Sequence, residues 1–233
     1  MNSIKSIRDK LNAPLDGLVF FLNPFTYLIL RNYPGVLEKA NAIRFDGVLL
    51  CKIFKVLGFE NVRRESFDNT SLAPVVFESA CTENQRVAII GSEPDVIAKF
   101  MEYLGDHYNG LNVVYYRNGY FDNEEDIHSS HEALIKLRVD LVIVGMGAGK
   151  QEEYLVGLKD KSWNGVAFTC GGFIHQTVSN GFDYYPGWVN KYNLRFLYRI
   201  YDEPYLLKRY MIRYPQFVIV FIKDVISYLK DRG

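Results

Sequence analysis

The sequence predicts an α/β protein: a mostly parallel, Rossmann-like sheet with helices on both faces, followed by a helical, aromatic and basic C-terminal appendage. Three observations predict it. Short apolar runs alternate with segments of helical periodicity from residue 17 to residue 170. The runs in the middle of the chain are apolar throughout, as strands covered on both faces must be. From Lys191 onward the composition changes, with nine Lys/Arg against four Asp/Glu, and 14 of the 35 aromatic residues lie between Phe182 and Tyr228. Residues 1–190 are therefore read as the α/β core and residues 191–233 as the appendage.

The elements follow in order. Residues 17–24, GLVFFLNP, read as a buried strand stopped at Asn-Pro, with a short helix through Leu30. Residues 41–45 form a second strand broken by Asp46-Gly47, and residues 48–58 a helix ended by Gly58. Residues 59–71 are polar and turn-like, and a helix covers 72–81. RVAIIG, 86–91, is the third strand; Ser92 is the expected N-cap of the helix after it, with Pro94 in its first turn. Val96, Ile97, Phe100, Met101 and Leu104 share one face of that helix. Residues 111–116 and 140–145 are further strands, separated by an Asn118-Gly119 turn and a helix from Glu124 to Leu137. A helix from Lys150 to Leu158 and a strand at 165–170, ending at Gly171-Gly172, complete the pattern.

Composition narrows the function classes. The chain has 233 residues, 48% apolar and 23% charged, enough for a sizeable core and a poor match to disorder. Net charge is zero, which argues against nucleic acid as a partner. The tail carries about +5 and the body about −5, a distribution suited to a phosphate-bearing or membrane-surface partner, or equally to a solvated helical face with aromatic anchors in the core. Cys51, Cys81 and Cys170 show no disulfide or zinc spacing, as expected in a reducing compartment. The N-terminal residues lack the apolar core of a signal peptide, and the apolar run 217–222 is too short to span a bilayer. A cytoplasmic, soluble or peripheral protein is expected, and homo-oligomerisation stays open.

Parallel sheets bind ligands outside the carboxyl ends of their strands. This places Asn23, Asp46, Gly91, Tyr120, the 145–151 turn and Gly171-Gly172 on one rim. Gly145-Met146-Gly147-Ala148-Gly149-Lys150-Gln151 would let backbone amides approach a phosphate; a tight turn needing small residues is the equal alternative. Lys150 breaks the dinucleotide fingerprint, and Val144 and Gln151 break the P-loop pattern. Asp46 could accept a proton from an attacking hydroxyl, or serve only a turn or cap. Arg63-Arg64 with Asp68 could grip a diphosphate, although taken alone they read first as a solvated charged loop. His128 and His131 are expected on the surface, without a metal set around them, while His175 falls on the rim. Asp-x-Asp, a common metal-diphosphate motif, does not occur in the chain, so a mechanism without metal or cofactor is expected.

Taken in order, several of these pieces resemble the WecG/TagA/CpsF family of bacterial glycosyltransferases over roughly residues 17–215. They are Asn23-Pro24, Asp46-Gly47, Arg63 with Asp68, residues 87–91, Asn118-Gly119-Tyr120-Phe121, the Gly145–Glu152 turn, Pro186, Leu197-Tyr198-Arg199, Glu203-Pro204 and Lys208-Arg209-Tyr210. The resemblance implies an inverting, metal-independent transferase. It would move a hexose, N-acetylhexosamine or uronic acid from a UDP-sugar to a polyprenyl-diphosphate-linked saccharide, at the inner face of the cytoplasmic membrane. The products would be capsule, exopolysaccharide or teichoic acid. It implies Asp46 as the base and a donor side of Asn23, Arg63, Gly91, Tyr120, Phe121, Gly145, Gly147, Gln151, Gly171 and Gly172. It also implies acceptor or membrane contacts by Arg199, Lys208, Arg209 and Arg213. Three positions depart from the family: Gly149 replaces a usual Pro, Phe21 stands where Thr is common, and His175 falls where an acid is expected. A non-catalytic nucleotide-sugar-binding or assembly partner is the alternative; a nucleotide-dependent oxidoreductase is disfavoured by the broken glycine fingerprint.

Overall fold

The computed structural model describes residues 3–180, 189, 195–202 and 205–230. Pro186, Glu203-Pro204 and the side chains of Arg199 and Arg209 lie outside the described residues. Six parallel strands form one sheet: β1 (Leu18–Leu22), β2 (Ala42–Phe45), β3 (Val87–Gly91), β4 (Val113–Arg117), β5 (Leu141–Gly145) and β6 (Val166–Thr169), in spatial order β2-β1-β6-β5-β3-β4. Each expected strand is present. β1, β3 and β5 are buried at every position, as their unbroken apolar sequences require.

The helices are α1 (Ser3–Lys10), α2 (Pro24–Leu30), α3 (Pro34–Lys39), α4 (Val48–Val56), α5 (Leu72–Thr82), α6 (Pro94–His107), α7 (Glu124–Lys136), α8 (Lys150–Asp160), α9 (Phe173–Asn180), α10 (Arg195–Asp202) and α11 (Tyr205–Lys230). Two cores cover the two faces of the sheet. One holds Tyr27, Leu30, Phe54, Leu134, Tyr154, Leu155, Phe217 and Phe221, from α2, α4, α7, α8 and α11. The other holds Phe77, Phe100, Leu104, Phe173 and Ile174, from α5, α6 and α9. Each fully buried Leu or Phe contributes about 1.5–3 kcal/mol.

The expected start of α6 is corrected. Ser92 does not cap it: its φ of 59° is left-handed, and Glu93, in extended backbone, occupies the cap position before Pro94. Ser92 instead turns the chain sharply out of β3, with its N–H donating to Gly145 O at 3.2 Å. α1, α3 and α9 were not anticipated. Residues 59–71 are not all turn: Arg64 bridges in parallel to Phe45, adding a short extended segment beside β2, and Val62 and Phe67 are buried.

The topology fixes where a ligand can sit. The connection from β3 runs outward through α6 on one face, and that from β5 runs inward through α8 on the other. The strand order reverses between these neighbours, so the crevice of this doubly wound sheet opens between the ends of β3 and β5.

Candidate active site

The rim is built from residues that let strand ends approach closely. A Cβ on Gly91 would lie 2.4 Å from Gly145 O, and one on Gly145 would lie 2.8 Å from Cys170 Sγ and Gly171 O. Gly91, Gly145 and Gly171 therefore bring three successive turns into backbone contact, the tight-turn reason for small residues. Gly147 differs: its φ is 85° and its Cβ position faces open space. That is the geometry of a turn presenting its backbone outward.

The first turn of α8 is occupied from within. Gly149 N–H donates to Glu152 Oε2 at 2.6 Å, half of a capping box. Gln151 Nε2 donates to Glu152 Oε1 at 2.8 Å, and Gln151 Oε1 accepts from Gly171 N–H at 3.2 Å. Gln151 is 3% exposed and Glu152 0%. Burial pushes the Glu152 carboxyl up to about 7, against hydrogen bonds that favour its ionised form. Gly149 has φ 91°, which proline, fixed near −65°, cannot adopt. The turn of this chain thus has a backbone path closed to a proline at 149.

Asp46 follows the last residue of β2 and anchors its N–H to Leu22 O at 2.9 Å. Its side chain is 41% exposed at the rim, with Arg64 Nη2 3.6 Å from Oδ1. Arg64 also reaches Asp68 at 3.2 Å and Ser66 Oγ at 2.6 Å. Arg63, the expected diphosphate grip, points the other way, pairing with Glu65 at 2.6 Å with its side chain 80% exposed. Alternation along an extended segment explains the exchange: neighbours face opposite sides. Asn23 stands beside the Asp46-Gly47 turn, a Cβ on Gly47 lying 3.6 Å from its own Cβ. Its Oδ1 caps α2, accepting from the N–H groups of Phe25 and Thr26 at 3.0 Å.

At the far side, Tyr120 is 63% exposed on the loop after β4. Phe121 is held between the Arg117 guanidinium, 3.8 Å from its ring centroid, and Tyr154. Asp126 fixes Arg117 through two bonds of 2.8 and 3.0 Å. Phe21 points into the core against Phe67 and Phe168, away from the rim. His175 is exposed in the first turn of α9, after Gly172. The surface expectation holds for His128 but not for His131, which packs against Tyr154 and whose pKa burial lowers to about 4.

Two adjoining depressions of about 270 Å³ each lie between α2 and α11, sharing Leu28, Asn32 and Arg213. Ile29 lines the second and would lie 3.1 Å from a Cβ on Gly149, so this groove ends beside the 145–149 turn. Arg213, exposed, donates to Gln216 at 3.2 Å; Lys208 is exposed one turn earlier on α11.

Glu152 and Arg64 belonged to the expected turn and arginine pair, but neither was singled out for a role of its own. A Gly-x-x-Glu spacing at the start of α8 was the available signal for the first. The alternation beside β2 was the signal for the second.

A doubly wound parallel sheet with glycine turns and an exposed carboxylate gathered on its carboxyl rim defines an α/β fold with a ligand crevice at the strand ends. The family model for the glycosyl transferase WecG/TagA/CpsF family matches residues 2–231, and the chain belongs to that family of glycosyltransferases. It is 34% identical over 213 residues to the UDP-Gal:alpha-D-GlcNAc-diphosphoundecaprenol beta-1,4-galactosyltransferase of Shigella boydii, covering 91% of this chain and 89% of the relative. It is also similar to two N-acetylglucosaminyldiphosphoundecaprenol N-acetyl-beta-D-mannosaminyltransferases. That of Bacillus subtilis (strain 168) is 20% identical over 92% of this chain and 82% of the relative. That of Bacillus spizizenii is 23% identical over 82% of this chain and 72% of the relative.

Proposed function

We propose that the chain is an inverting glycosyltransferase that moves a hexose, galactose first among candidates, from a UDP-sugar to GlcNAc-diphosphoundecaprenol in cell-surface polysaccharide synthesis. The observation that carries this reading is the shared acceptor: the three relatives named above transfer two different sugars, galactose and N-acetylmannosamine, but all carry GlcNAc-diphosphoundecaprenol in their names. Their names also specify beta products, and hexose UDP-sugars are α-linked, which supports inversion by direct displacement.

In this mechanism the acceptor hydroxyl attacks the anomeric carbon while Asp46 takes its proton, and the bond to UDP breaks on the opposite face. Oxocarbenium character develops at the sugar and charge on the departing diphosphate. Backbone amides of residues 146–148 and an arginine would meet that charge. Arg64, already beside Asp46, is better placed for this than Arg63. Tyr120, exposed on the rim, would contact the nucleotide, with Asn23, Gly91, Gly145, Gly147, Gly171 and Gly172 shaping the cleft. Arg213 and Lys208, with Arg199 and Arg209, would serve the lipid diphosphate and the membrane surface, with the groove between α2 and α11 as the approach. No described helix is long and apolar enough to cross a membrane, and surface docking through α11 is the proposed mode.

General-base help contributes about 10²–10⁴-fold. D46N should lower turnover by that factor, measured as UDP release from UDP-galactose with a short polyprenyl-diphosphate GlcNAc acceptor, while leaving UDP affinity within about threefold. Turnover near that of the wild type would remove Asp46 from the mechanism. Repeating the assay with other UDP-sugars and with chelator tests donor choice and metal independence.

A further inference from the structure

The hydrogen bonds beneath the rim form a directional relay. It begins at a backbone donor, Gly171 N–H, which gives to Gln151 Oε1 at 3.2 Å. Gln151 passes the direction on, its Nε2 giving to Glu152 Oε1 at 2.8 Å. The other end is again a backbone donor, Gly149 N–H, giving to Glu152 Oε2 at 2.6 Å. An amide offers one accepting and one donating end. A chain with a donor at each terminus and one amide inside closes only if its remaining member accepts on both sides. A Glu carboxyl keeps lone pairs on both oxygens and accepts on both sides, whereas a Gln in its place would turn an N–H toward one of the two donors.

We propose that Glu152 is a positioning residue whose doubly accepting carboxyl group, acting through Gln151, locks the 145–149 turn to the Gly171-Gly172 turn and so sets the shape of the donor crevice. The claim that this shape serves the donor rests on the UDP-sugar reading above. Gln151 then acts from beneath the rim: it is 3% exposed and both its amide atoms are engaged. Both turns it joins are ones that β5 and β6 send to the rim, and Gly145 already touches Gly171 through the backbone. The relay therefore governs the relative height of neighbouring turns rather than one isolated loop.

The parity of the relay gives an unusual test. In E152Q, every arrangement of the two amides leaves one pair of N–H groups facing each other. If the residue-152 amide accepts from Gln151, it opposes Gly149; if it accepts from Gly149, it opposes Gln151; and if Gln151 flips to compensate, it opposes Gly171. An unmade buried bond of this kind should weaken UDP binding about 10- to 100-fold. The exchange Q151E/E152Q keeps charge and atom count and restores parity. The carboxyl at 151 then accepts from Gly171 and from the amide at 152, whose oxygen accepts from Gly149. UDP affinity should return to within about threefold of the wild type.

The experiment measures UDP affinity by calorimetry and hydrogen exchange of the Gly149 and Gly171 amides by NMR, in wild type, E152Q and Q151E/E152Q. Loss of amide protection and of affinity in the single variant, with recovery of both in the exchange, is the expected result. If the exchange protects the two amides no better than E152Q does, the relay is wrong. If protection follows the parity rule but UDP affinity does not change, the relay does not position the donor. A wild type that fails to bind UDP removes the donor reading, and the amide exchange still decides whether the relay exists.

Discussion

Two buried titratable side chains lie one helix apart, Glu152 on α8 and His131 on α7, and their effects on stability run in opposite directions. The folded state holds the Glu152 proton more tightly than the unfolded chain does, raising its pKa from 4.5 to about 7. Stability from this group is complete below about pH 4.5 and is lost as pH rises through about 7. His131 is the reverse. Burial, helped by the nearby charge of Lys161, lowers its pKa from 6.5 to about 4. Its contribution is complete above about 6.5 and is lost as pH falls through about 4. Each is on the order of a few kcal/mol. Between about pH 4.5 and 6.5 the two slopes oppose each other. Denaturant unfolding across pH 4–8 should show E152Q gaining stability relative to the wild type as pH rises, on top of a constant loss from its mismatched bond. H131N should gain relative to the wild type as pH falls. Parallel pH profiles for wild type and either variant would refute the corresponding assignment. The sequence exposes this scale unevenly. Asp46 was readable because it ends a strand at a glycine. The choice between Arg63 and Arg64 was not, because it depends on which face of an irregular segment meets β2. His131 was expected outside because a polar residue on a helix usually is, and the aromatic face of Tyr154 that covers it comes from a different element.

Among the elements, α11 carries the most information about how the C-terminal segment relates to the core. Tyr27 of α2 meets Phe217 edge-on at 5.5 Å and Phe221 at 5.3 Å, and Phe54 of α4 meets Phe221 at 5.7 Å. Arg31 grips Asp224 through bonds of 2.9 and 2.7 Å, and Tyr27 donates to the same carboxylate at 2.7 Å. The helix is thus built into one of the two cores of the sheet. F217A should cost about 3–5 kcal/mol in unfolding free energy, the range for a buried Phe. A loss under about 1 kcal/mol would mean that α11 is only loosely attached. The same packing means that deleting the segment would uncover core, so truncation reports on folding as well as on membrane contact. The strands were legible because each is a short apolar run between turn residues. α1 was not, since only Ile4 and Ile7 mark its buried face, and α3 and α9 were obscured by Pro34-Gly35 and Gly171-Gly172 at their starts. Ser92 misled because it has the chemistry of a cap but is used to turn the chain beside Gly145.

At the scale of the whole molecule, the opposite charges of body and tail combine with a second face of α11. Leu207, Met211, Val218, Ile222, Ile226 and Leu229 are each 46–69% exposed, and at helical spacing they form one stripe. Lys208, Lys223 and Lys230 border it, all exposed. Phe217 and Phe221 anchor a different face, about 100° round the helix, and leave the stripe exposed. An anionic bilayer would attract the basic tail and repel the acidic body, which would turn the α11 side, and the groove running to the 145–149 turn, toward the proposed lipid-linked acceptor. Apolar and ionic contributions can be separated. M211D/I222D removes two exposed apolar side chains, each contributing about 1.5–3 kcal/mol when buried in lipid, and adds two repelling charges. It should abolish co-sedimentation with phosphatidylglycerol vesicles, while unfolding free energy stays within about 1 kcal/mol of the wild type because both sites are exposed. For the wild type, raising salt from about 0.1 to 1 M shortens the screening length from about 10 to 3 Å. Binding should weaken without vanishing, since the apolar stripe is not screened. Full binding by the double variant would show that this stripe does not meet the membrane, and complete loss of wild-type binding at high salt would show that the lysines alone do.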